Sequence, residues 1–107
     1  MIVTTGPSVE GRPITEYLGV VSAQAIMGVH LGKDITAGFR SIVGGRSKSY
    51  EGEVAEAVVE AIDELKARAE QLGSDAIVSV DIDYETVGDN MLMVATSGTA
   101  VKLEHLS

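Results

Sequence analysis

The stretch from Ser49 to Leu72 constrains this chain more than any other, because its apolar residues return at steps of three and four. Val54, Val58, Ala61, Leu65, Ala69 and Leu72 fall on one side of a helix, and Val59 and Ile62 widen that stripe as a helix lying on a sheet requires. Ser47 and Ser49 carry hydroxyls that accept from the free N–H groups of a first turn. Glu51 and Glu53 sit near the positive end of the helix dipole, with Lys66 and Arg68 nearer the negative end. Gly73 then supplies the usual left-handed stop.

The remaining segments read as material for the sheet beneath that helix. Ile2–Thr5 is a short strand closed by Gly6-Pro7, and Val9–Pro13 is a turn. Ile14 to Met27 is long and rich in β-branched residues, which predicts a strand covered on both faces, with a bulge or close approach at Gly19. Lys33 to Ile42 carries the spacing of a short helix, weakened by Gly38. Along Ala76–Thr86 the alternation predicts Ala76, Val78, Val80, Ile82 and Tyr84 on one side, with Ile77, Ser79, Asp81, Asp83 and Glu85 on the other. Gly88-Asp89-Asn90 turns the chain, and Met91–Leu103 returns as the second strand of the hairpin.

Strand, helix, then hairpin is an α+β order, solved most economically by an antiparallel sheet on one long helix, a single domain over residues 1–107. One helix covers one face only. The long strand and the last one carry apolar or small residues on both faces, so contacts between subunits are expected to cover the rest.

Composition narrows the chemistry. The chain has no cysteine, which removes disulfides, thiolate catalysis and any thiolate-bound metal. A net charge of −8 argues against general nucleic-acid binding, since neutralising phosphates takes clustered Lys and Arg. The charge is uneven: seven acids in Ser49–Leu72 face only Lys66 and Arg68, whereas Ile35–Tyr50 holds Arg40, Arg46 and Lys48 and no acid. No apolar run matches a membrane span and the start lacks the order of a signal peptide, so a cytoplasmic protein that avoids membranes is the expectation.

Three blocks stand out together: Ile42-Val43-Gly44-Gly45-Arg46-Ser47 with Tyr50-Glu51, then Gly73-Ser74-Asp75-Ala76-Ile77-Val78 running into Val80-Asp81-Ile82-Asp83-Tyr84-Glu85, and Ser97-Gly98-Thr99-Ala100-Val101. With Glu16-Tyr17-Leu18-Gly19-Val20-Val21 upstream, they closely resemble the YbjQ-like family of small bacterial and archaeal proteins, from Ile2 to Val101. The resemblance implies a β-α-β-β core with an antiparallel sheet, like the dodecin subunit, assembled as a ring of five. It brings no established activity, only a heavy-metal-binding label, and this chain offers no cysteine as a soft ligand.

Two groups of residues are candidates for binding. Gly44, Gly45, Arg46, Ser47 and Ser49 lead into the helix start, where free N–H groups, hydroxyls and cations can cradle an anion; the plainer reading is a tight turn and cap. Asp81, Asp83 and Glu85 project from one strand face at steps of roughly 6–7 Å. Such oxygens suit Ca²⁺ or Mg²⁺ if copies converge, and otherwise simply keep a strand soluble. His30 and His105, the only histidines, lack ligand spacing to a second His. Met27, Met91 and Met93 read as core or interface filler. No catalytic residue suggests itself, because no Ser–His–Asp order or Gly-x-Ser-x-Gly elbow occurs. The leading expectation is a non-enzymatic homo-oligomer whose ring creates a surface for a small ligand or anion. A cation-binding protein is the alternative, and an enzyme with a subunit-interface site ranks third.

Overall fold

The computed structural model describes residues 1–27, 48–88 and 91–105, and for residues 48–51 the backbone alone. Five elements run in the order β1 (Ile2–Val3), β2 (Ile14–Met27), α1 (Lys48–Gln71), β3 (Ala76–Val87) and β4 (Met91–Leu103). The strands form one sheet ordered β1-β3-β4-β2. The β2, β3 and β4 core is antiparallel as expected, whereas β1 joins β3 in parallel, so the sheet is mixed.

Helix α1 lies on one face of this sheet. Ala57, Ala61, Leu65 and Ala69 are its buried line, flanked by half-buried Val54, Val58 and Ile62. Small residues along that line let the helix sit close to the strands, with Leu65 inserted between Val21, Ala23, Ile77, Val80 and Ala100. Toward its start, Ala57 and Ala61 meet Ala25, Met27, Leu92 and Val94. Two residues assigned to the stripe depart from it: Val59 is 59% exposed and Leu72 46%. The helix meets the sheet along its buried line and its half-buried flanks, and Val59 falls beyond them. The stop is as expected. Gly73 has φ +78°, with its N–H on Glu70 O at 2.9 Å and the Ser74 N–H on Ala69 O at 3.2 Å.

Two expectations for the strands are corrected. β2 is an edge strand, and from Val21 to Met27 it alternates strictly, with odd positions buried and even positions exposed. It is therefore covered on one face, not both. The bulge at Gly19 is present, with φ +131° and a register shift between Tyr17 and Gly19. In β3 the alternation breaks where the sequence reads smoothly. Ser79 has φ +53°, and between Val78 and Asp81 the pairing with β4 slips by one residue. Ile77 and Val80 consequently both enter the core beneath the helix, while Ala76 and Val78 join the carboxylates on the far face. The Ser79 N–H is retained by Gly6 O at 2.8 Å and the Val80 N–H by Thr4 O at 3.1 Å.

Gly98 of β4 sits opposite that bulge. A Cβ there would lie 2.7 Å from Ile77 Cγ2, 3.1 Å from Val80 Cγ2 and 3.2 Å from the Val78 carbonyl. The Ser-Gly-Thr block is thus explained by packing: only a residue without a side chain lets two branched residues crowd the same point.

Candidate functional site

Strand pairing assigns the far face of the sheet residue by residue. Reading across β2, β4 and β3, three rows line up: Ser22, Ser97 and Asp81; Gln24, Ala95 and Asp83; Ile26, Met93 and Glu85. Hydroxyl, amide and apolar groups occupy the edge strand, small or sulfur-bearing side chains the middle, and carboxylates the third strand. At the other end of this face, the turn before β2 folds back, so that Val9 and Ile14 cover Ala76, Val78, Val101 and Leu103. Its closure is a bridge between Val9 and Arg12, with Arg12 N–H on Val9 O at 3.1 Å. Beyond that turn, Val20 is 79% exposed, Tyr17 70% and Ile26 54%.

The three carboxylates stand on this open face as their spacing requires, and all are exposed. Asp83 is held above the ordinary carboxylate value, first by a side-chain hydrogen bond with Asp81, then by the negative charge of Asp81 and, less, that of Glu85. Thr96, buried beneath them, donates its hydroxyl to Asp81 O at 2.8 Å and fixes the backbone from which the acids project. Among the described residues no three Asp, Glu or His side chains converge on one point as metal ligands must. Of the anion candidates, Gly44, Gly45, Arg46 and Ser47 lie outside the described residues, as do His30 and the short helix expected over Lys33–Ile42; Ser49 falls within the first turn of α1. Met27 is core, while Met91 and Met93 are half-buried on the open face.

Arg68 has a role its sequence position hides. Its Nε bonds Glu64 Oε1 at 3.2 Å one turn back, and its Nη1 donates to the Ser22 carbonyl. That carbonyl points away from β4, off the outer edge of the sheet. Nothing in the periodicity of either segment brings Arg68 to Ser22; the contact exists because the helix crosses over the edge strand. Asp75 is a second such group, accepting from the Leu103 N–H at 2.9 Å and tying the end of β4 to the start of β3.

Comparison with known proteins agrees with this picture. Residues 1–104 match the model of the YbjQ family, described as "Putative heavy-metal-binding". A UPF0145 protein of Clostridium kluyveri is 54% identical over 106 residues, spanning 97% of this chain and 100% of that relative. A crystal structure of a DUF74-family protein of unknown function from Pediococcus pentosaceus superposes with a TM-score of 0.65 at 20% identity, covering 97% of this chain and 98% of that one. At that identity the likeness speaks for the fold alone.

Proposed function

We propose, for a chain that belongs to the YbjQ (UPF0145) family, that it works as the subunit of a non-enzymatic homo-oligomer whose assembled surface holds a small ligand or anion. The observation that carries this reading is the half of the sheet face that no described residue covers, where Val20, Tyr17 and Ile26 are exposed on a strand whose other face is core. Surface of that kind is ordinarily hidden by association. A closed ring, of five subunits by the resemblance, disposes of it in every copy alike.

The family description does not fit the donors present. Soft heavy metals select thiolates, and this chain has no cysteine. No heavy-metal site is therefore built into the proposal. A hard cation on Asp81, Asp83 and Glu85 is the second reading, favoured by the gathering of these carboxylates on one face, where the hydrogen bond and charge of Asp81 raise the proton affinity of Asp83.

Native mass spectrometry of untagged protein tests both at once. Peaks at a single multiple of 11.2 kDa are expected, with five as the number the resemblance implies and any bound mass read beside it. A stable monomer at micromolar concentration overturns the reading.

A further inference from the structure

We infer that copies of this chain join by continuing the sheet, the outer edge of β2 in one copy pairing in the next with the stretch of β3, Asp81–Val87, that no described strand covers. The inference rests on the self-association proposed above and specifies its interface.

β2 ends the sheet, so alternate main-chain groups along it face outward. Arg68 identifies them: by donating to the Ser22 carbonyl it marks Ser22 as outward-pointing, and Val20, Gln24 and Ile26 share its phase. This edge's own residues supply none of the usual protection. From Gly19 to Met27 it has no charged residue and no proline, and its length lets several bonds form together. The cation at this edge is Arg68 itself, reaching over from α1.

The second free edge begins where the N-terminal arm leaves β3. Thr4 and Gly6 bond Ile77, Ser79 and Val80, and beyond Val80 no described strand lies against β3. The phase of those contacts turns Ile82, Tyr84 and Thr86 outward, over a length close to that of the free part of β2. Unlike β2, this edge is flanked by Asp81, Asp83 and Glu85.

Charge decides which edges meet. Two β3 edges would set three carboxylates against three, which like-charge repulsion disfavours. Two β2 edges could pair, but that would leave the β3 stretch beyond Val80 without a strand among the described residues. Pairing β2 with β3 sets the uncharged strip of Ser22, Gln24 and Ile26 beside the acids on the open face and uses both edges of every copy once. A head-to-tail contact of that kind closes into a ring when its rotation permits. Arg68 then yields the Ser22 carbonyl to the incoming strand.

Charge substitution on Ser22 and Gln24 tests this, because their side chains would lie beside the partner's carboxylates on the open face. Two doubly substituted full-length chains are compared with wild type by sedimentation, with circular dichroism confirming that each folds: Ser22→Glu with Gln24→Glu, and Ser22→Lys with Gln24→Lys. The acidic pair is expected to weaken association by about tenfold or more, while the basic pair holds it or tightens it. Weakening by both pairs overturns the inference in favour of β2 meeting β2. No effect from either leaves self-association standing and removes this edge from it. A monomeric wild type removes the self-association itself. Hydrogen exchange supplies an independent readout, since the Gln24 amide should be protected in the assembly and unprotected in a dissociated, folded chain; rapid exchange in the assembly overturns the pairing.

Discussion

At the scale of single residues, the consequences follow from how completely each side chain is enclosed. Leu65 is 0% exposed and fills the space between helix and sheet. Leu65→Ala should therefore cost about 2–5 kcal/mol in a urea titration, the transfer loss plus the cavity left behind. Gly98 makes the reverse case. Gly98→Ala adds one methyl where Ile77 and Val80 already converge, and overpacking should cost about 1–3 kcal/mol by the same measurement. Val59 gives the contrast: on the same helix but 59% exposed, Val59→Lys should change stability by no more than about 0.5 kcal/mol.

Among elements, β3 holds the tension between fold and charge. Its bulge sends Ile77 and Val80 inward and leaves Asp81, Asp83 and Glu85 together on the outer face. The proton affinity of Asp83 is raised in the folded chain, so folding takes up a proton there in the window just above the ordinary value of 3.8. The stability this contributes is complete below the unfolded pKa and is lost as pH rises through the folded one. Asp83→Asn should accordingly melt no lower than wild type at pH 7, with the difference shrinking as pH falls toward 4. A variant that melts lower at neutral pH would mean that the ionised carboxylate is stabilised by a partner. The cation reading makes a separate demand on this strand. Mg²⁺ or Ca²⁺ should raise the melting temperature in wild type and in Glu60→Gln, but not when Asp81 and Asp83 are both Asn. With the carboxylates simply solvated, the expected result is no rise in any of the three.

For the whole molecule, the governing fact is a two-layer arrangement in which the described residues cover only half of the second sheet face. Val20, Tyr17 and Ile26 stand exposed on that face, and a neighbour that covers them stabilises the folded chain. Assembly should therefore raise stability in a concentration-dependent way, and the melting temperature of wild type should climb as protein concentration increases. A melting temperature independent of concentration from nanomolar to micromolar would argue that the half-covered face is stable in water.

Much of this was legible in the chain itself. The helix announced itself because burial on one side imposes a 3.6-residue period, and Gly73 marked its end because few other residues take φ near +78° without strain. The α+β order, the terminal hairpin and the bulge at Gly19 followed from similarly local signals. The outcome differed wherever a residue's fate depended on a neighbour distant in sequence. Ser79 is chemically unremarkable, and its slip exists because Gly98 leaves room opposite and the Gly6 carbonyl receives its N–H. That one-residue slip moved Ile77 into the core and changed every partner on its face, which period-two counting cannot foresee. β2 looked covered on both sides because its content is apolar, yet its place at the edge of the sheet is a matter of strand order. Arg68 at the Ser22 carbonyl is likewise a product of helix docking. Sequence determined the elements, since periodicity and turn chemistry act within a few residues; tertiary structure decided register, edges and open faces, since those depend on which distant strands meet.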